Sequence, residues 1–273
     1  MLYSSLKEAL RIRAEKGQYI THQSYDELLD PAAAWGARLR LVDFASNDTL
    51  SIARDPRVAN VYKDAIAKLA VSPLGATGSR GTSGNTPFHQ ELERRLALFH
   101  NSEAAVLFNS GYDANLTLWQ TLPQPGDAIV YDEFAHASII DGLRRSRANS
   151  KIKFSHNSLL DLGNILRTLS GDSKFSTGQN NVFIAVEAVH SMNGTMAALR
   201  KITTLIKEIF PRENAFLIVD EAHSTGVYGE RGTGLCNQLQ LENDIPIRVH
   251  TFGKAIGCAG GICFNLSHGL PDN

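Results

Sequence analysis

The chain has 273 residues, 43% of them hydrophobic, enough to bury a core for one large domain or a large domain with part of another. Its formal net charge is −1 and no block of like charges occurs, which gives nucleic acid or an anionic membrane surface nothing to hold. Cys236, Cys258 and Cys263 form no C-x-x-C pair and are too few for a disulfide framework. That usage fits the cytoplasm; we expect the three to be packing residues, and we expect no metal. No apolar run nears the roughly 20 residues of a membrane helix.

The opening segment, MLYSSLKEALRIRAEKGQY, places Leu6, Leu10 and Ile12 as an amphipathic helix would. Lys7, Arg11 and Arg13 suit a transit peptide, but Glu8 and Glu15 speak against one; a mitochondrial or peroxisomal address stays open. Residues 24–56 read as irregular or short-strand material, and 56–71 as a helix. A glycine-rich loop, LGATGSRGTSGN, precedes a helix over FHQELERRLALFH. Strands and helices then alternate. AAVLFNS, DAIVYDE, KIKFSH, NVFIAVEAV, AFLIVDEAH, RVHTFGK and GGICFNL are the predicted strands; GYDANLTLWQTL, SIIDGLRRSRA, LLDLGNILRTL and AALRKITTLIKEIF are the predicted helices. Such apolar strands should be buried on both faces. The pattern predicts an α/β fold around a mostly parallel sheet with flanking helices.

Open α/β sheets bind ligands at the carboxyl ends of their strands. Those ends single out Asn109-Ser110-Gly111, His136, Glu187, Asp220 with His223, and Thr251 through Lys254. The Asp-Glu that ends AFLIVDEAH also looks like a Walker B element. That reading needs an upstream G-x-x-x-x-G-K-[ST] loop, and the chain has none. The glycine-rich loop does not fit G-x-G-x-x-G either. An Asp followed downstream by a Lys between glycines, Gly253 and Gly257, instead suits a site that binds a cofactor through the lysine amine and an acid partner.

SGYDAN, FAHAS, VEAVHSMNG, FLIVDEAHSTGVYGERGTG and RVHTFGKAIGCAGG, in this order, resemble the motifs of the α-oxoamine synthases, pyridoxal 5'-phosphate (PLP) enzymes of fold type I. The resemblance spans residues 43 to 264 and implies the large domain of that fold. It implies that Lys254 binds PLP covalently and shuttles the α-proton, that Asp220 pairs with the ring nitrogen, and that His223 meets the ring oxygen. His136 would stack on the ring. Ser191 would contact the cofactor and Glu187 support it; Gly111 and Tyr112 would hold the phosphate, with the Thr251 hydroxyl beside them. Asn47 would face the amino-acid carboxylate. His156 matches a family motif or caps the following helix, and Asn193 has no assigned role.

The implied reaction condenses an amino acid with an acyl-CoA, releasing CoA and CO2. Alanine and pimeloyl-CoA are the expected pair, with a glycine or serine donor, or an inactive PLP-fold protein, as alternatives. The family works as a homodimer. We expect an N-terminal helix and lead-in over residues 1–45 and a PLP-binding large domain over 46–273. Relatives continue into a smaller C-terminal domain that supplies a carboxylate-binding arginine; the expectation here is a chain lacking it, and inactive alone. Where one branch places a substrate arginine, this chain has QYITHQ.

Overall fold

The computed structural model describes residues 2–18, 44–68 and 75–265. Two compact units emerge, residues 1–46 and 47–273. In the first, helix α1 (Leu2–Glu15) carries Arg11 between Glu8 and Glu15 on its exposed surface. The expected lead-in falls largely outside the described residues.

The second unit begins with α2 (Pro56–Ala67), started by Pro56 and capped by the Asp55 carboxylate, which accepts from Arg57 N–H. Helix α3 (Pro87–Phe99) has the same logic, with Thr86 as its cap. Arg80 of the glycine-rich loop reaches Glu93 on α3 at 2.6 Å, and Glu93 in turn accepts from Leu107 N–H at 2.7 Å. The loop is thus tied to the sheet edge.

Seven strands follow: β1 (Ala104–Phe108), β2 (Ala128–Asp132), β3 (Ser150–Phe154), β4 (Val182–Glu187), β5 (Ala215–Asp220), β6 (Ile247–Thr251) and β7 (Gly261–Asn265). Their order is β1-β7-β6-β5-β4-β2-β3. β7 runs antiparallel to both neighbours, β1 and β6, and the other pairs are parallel. Six strands therefore point one way, and their carboxyl ends form one rim.

Helices α4 (Gly111–Thr121), α5 (Ala137–Arg145), α6 (Leu159–Ser170), the short α7 (Ser173–Ser176), α8 (Leu199–Ile209) and the short α9 (Leu235–Gln238) complete the unit. The period-2 alternation of the central strands splits the core in two. Val182, Ile184 and Val186 of β4 join Leu162 and Leu166 of α6 and Ile202 and Ile206 of α8 on one side. Phe183 and Ala185 join Trp119 of α4 and Ile139 and Leu143 of α5 on the other. Each fully buried side chain of this size contributes about 1.5–3 kcal/mol.

The expectation that all strands are buried on both faces holds for β4 and fails for β1 and β3. These last two expose residues along one face because they are the sheet's edges, although Phe154 at the end of β3 is buried. Of the cysteines, Cys236 is buried and Cys263 half-buried, but Cys258 is exposed rather than packed.

Candidate active site

One cleft of about 210 Å³ opens on the carboxyl rim. Its lining includes Gly111, Tyr112, His136, Glu187, Asp220, Thr251 and Lys254, brought together from α4, α5 and strands β4, β5 and β6. His223 joins them through Lys254, whose Nζ lies 2.7 Å from His223 Nε2. Ser191 and Asn47 are exposed and do not line the cleft, although Ser191 N–H donates to Glu187 Oε2 at 3.4 Å.

The end of the cleft at the start of α4 is built by close backbone approach. A Cβ at Gly111 would lie 2.8 Å from Thr251 Cβ, and one at Gly261 would lie 2.4 Å from Gly111 N. Glycine at both positions lets the start of α4 settle against β6 and β7. Ser110 caps the helix, taking Asp113 N–H on its hydroxyl and Ala114 N–H on its carbonyl. That leaves the leading N–H groups of Gly111 and Tyr112 for an anion, where the helix dipole favours negative charge.

The opposite end is acidic and buried. Asp220 is 6% exposed and ends β5. Asn115 Nδ2 donates to its Oδ2 at 2.7 Å, and Ala222 N–H to its Oδ1 at 2.9 Å. Glu187 stands directly beside it in register on β4. Burial, and then the Asp220 charge, push the Glu187 carboxyl up to about 7. His136 caps α5, its Nδ1 2.8 Å from Ser138 Oγ, and burial lowers its pKa.

Burial also lowers the Lys254 amine, against the opposing pull of Asp220 and Glu187. Burial first, and Lys254 next, hold His223 down to about 4. A desolvated amine beside a neutral imidazole is suited to attack a carbonyl carbon.

Two lining residues escaped the sequence reading. Asn115 and Ser138 are both buried, and Asn115 Nδ2 bridges Ser138 Oγ and Asp220. Their signal was a polar residue on the inward face of a helix start, one turn after Gly111 and two residues after His136. His156 does not cap α6; Ser158 does, accepting from Asp161 N–H. His156 instead bonds Asp132 through Nδ1 at 2.8 Å and Thr195 through Nε2 at 2.7 Å. Asn193 Oδ1 accepts from Thr195 N–H at 3.1 Å.

PLP fits this donor set. The cleft offers an amine of lowered pKa, a buried carboxyl held on both oxygens, and two N–H groups at a helix start above a cradle that any side chain at position 111 would fill. No described helix is long and apolar enough to cross a membrane.

The sequence profile of the family Aminotransferase class I and II matches residues 40–267. An 8-amino-7-oxononanoate synthase of Emericella nidulans is 41% identical over 96% of this chain and 61% of its own length. A Sphingomonas wittichii serine palmitoyltransferase superposes with TM-score 0.70 at 33% identity, covering 82% of this chain and 52% of that one. The Francisella tularensis 8-amino-7-oxononanoate synthase structure gives 0.65 at 31% identity, covering 84% and 59%. The chain thus spans little more than half the length of these relatives. With its seven-stranded sheet, its rim cleft and a family match over most of its length, the chain belongs to the aminotransferase class I and II family, has the PLP fold-type-I large-domain architecture, and resembles the α-oxoamine synthases within that family.

Proposed function

We propose that residues 46–273 form the PLP-binding part of an enzyme that condenses an amino acid with an acyl-CoA, releasing CoA and CO2. Alanine and pimeloyl-CoA are the proposed pair, as in biotin biosynthesis, and a homodimer the proposed assembly. The observation that carries this reading is the meeting of Lys254, Asp220, His223, His136 and the start of α4 in one cleft.

Bound PLP supplies an electron-withdrawing ring that accepts the negative charge left when the amino acid loses its α-proton. In this reading Lys254 would hold the cofactor through Nζ and, with that amine free, would take the α-proton there. Asp220, fixed by Asn115 and Ala222, keeps a proton on the ring nitrogen. His223 would hydrogen-bond the ring oxygen, and His136 would stack on the ring. Gly111 and Tyr112 N–H groups and the Thr251 hydroxyl anchor the phosphate. Ser191 and Asn47 keep their proposed contacts only if their segments move toward the cleft.

The serine palmitoyltransferase likeness supports a second reading, with serine and a long-chain acyl-CoA as substrates. Thiol release from a panel of acyl-CoA esters with alanine, glycine or serine separates the two. The assay should use this chain and a chimera that adds the remaining length of the Emericella relative. In the chimera, fastest release with alanine and pimeloyl-CoA is expected. Release that needs no amino acid would contradict both readings.

A further inference from the structure

A second polar group runs inward from Glu187. β4, β2 and β3 are neighbours, and each delivers one member of it: His190 three residues after β4, Asp132 at the end of β2, His156 two residues after β3. The His190 side chain is 1% exposed, and neither ring nitrogen hydrogen-bonds a described residue. Nδ1 lies 4.0 Å from Glu187 Oε1, which is likewise unpaired, and Nε2 lies 4.0 Å from Asp132 Oδ2. The large majority of buried side-chain polar atoms are hydrogen-bonded, so the two ring nitrogens and Glu187 Oε1, all three unpaired, point to one arrangement shared with Asp132.

Donor and acceptor roles fix the direction. Asp132 takes Phe134 N–H on Oδ1 at 2.8 Å and Asn157 N–H on Oδ2 at 2.9 Å, with His156 Nδ1 also 2.8 Å from Oδ1. It acts as an acceptor throughout, so His190 can satisfy it only with a proton on Nε2. A neutral imidazole carries one ring proton. Nδ1 is then a lone pair facing Glu187, and only a carboxyl that keeps its proton can donate to it.

We propose that His190 is a positioning residue: it takes a hydrogen bond from protonated Glu187 and gives one to Asp132, so that Asp220 rather than Glu187 carries the negative charge at the cleft floor. Each gap is about 1 Å longer than a hydrogen bond. The proposed arrangement requires both gaps to close. Asp220 and Lys254 face Glu187, which also receives a backbone hydrogen bond from His136; Asp132, His156 and Asp220 face His190. Burial raises the Glu187 pKa and lowers that of His190, which favours a protonated acid beside a neutral ring.

A divalent cation is the competing occupant, since one ligand atom from each of Asp132, His156 and His190 lies within 4.8 Å of the others. Both Asp132 oxygens already accept backbone N–H groups, and His156 Nδ1 is already hydrogen-bonded. The arrangement therefore favours a proton over a metal. It is a property of the chain without cofactor or substrate, so it stands or falls separately from the proposed reaction.

The test is NMR of the isotope-labelled chain, with the His190 ring assigned through bonds from its own backbone so that its tautomer is read in the wild-type chain. The expected ring is neutral with its proton on Nε2 at about pH 6, the range in which an ordinary histidine is charging. The Glu187 carboxyl carbon should titrate near 7, and the His190 tautomer should persist in Glu187→Gln, whose amide still donates. A proton on Nδ1, an imidazolium at that pH, or ring signals that change when a chelator is added would overturn the proposal.

Discussion

Asp220 and Glu221 are neighbours in the chain and serve two different regions. Glu221 turns away from the cleft into a niche closed by the loop that leads to α9. It is fully buried, takes Leu235 N–H at 2.7 Å and Cys236 N–H at 2.9 Å on its two oxygens, and accepts the Ser224 hydroxyl. A Cβ at Gly234 would lie 2.6 Å from its Oε2, so glycine is required where the loop closes over it. In the cleft, by contrast, the Lys254 amine has one hydrogen-bond partner and Glu187 Oε1 none among the described residues, and the pKa values of Lys254, His223 and Glu187 are all displaced. One region satisfies its polar groups to hold the fold. The other leaves them short of partners, a condition that marks places where chemistry is done.

Replacing the niche carboxylate should have the largest effect on stability. Glu221→Ala orphans two buried N–H groups at about 1–3 kcal/mol each, so a loss of about 2–6 kcal/mol is expected in urea unfolding. A loss below about 0.5 kcal/mol, the range of a surface change, would erase the distinction between the regions. Asp220→Asn should act mainly on the cofactor, with a smaller change in unfolding than Glu221→Ala. Loss of one charge-assisted contact of about 1.5–3 kcal/mol should weaken PLP roughly 10- to 150-fold in an equilibrium titration. Unchanged affinity would remove Asp220 from the site.

Most of the cleft was readable before the fold was known; the Glu221 niche was not. The carboxyl-end rule found Lys254, Asp220, His136 and Gly111 because the apolar strands before them have unmistakable ends. The same Asp-Glu pair that tempts a Walker B reading was separable only in part: the sequence shows the pair, not which carboxylate turns inward. The antiparallel β7 was out of reach, since an apolar strand carries no mark of direction. The edge exposure of β1 and β3 depends on strand order, which local pattern does not encode. Asn115 and His190 were missed for a related reason. Each is polar and buried by its neighbours, and in HSMNG the hydroxyl of Ser191 drew attention that the ring of His190 deserved.

The perturbed carboxyl gives a smaller, pH-dependent test. Glu187 has its ordinary value of 4.5 when unfolded and about 7 when folded. The folded chain holds the extra proton between these values, so this contribution is full below pH 4.5 and is lost as pH rises toward 7. His223, held down to about 4 against its ordinary 6.5, acts oppositely: its contribution is present above 6.5 and lost as pH falls toward 4. Glu187→Gln should therefore remove a fall on the order of 1–3 kcal/mol between those limits from the wild-type stability profile. Parallel wild-type and variant profiles would show that Glu187 is not perturbed. Smallest of all should be Tyr112→Phe, which removes an exposed hydrogen bond to Asp141 and should change stability by under about 0.5 kcal/mol. A larger loss would mean that the cleft rim also carries the fold.

The most direct test of the central claim is chemical. The chain is loaded with PLP, reduced with borohydride, digested and mapped by mass spectrometry. The account predicts a pyridoxyl group on Lys254, the half-buried amine 2.7 Å from His223, and its absence in Lys254→Ala. Label confined to other lysines, or undiminished in that variant, would contradict it.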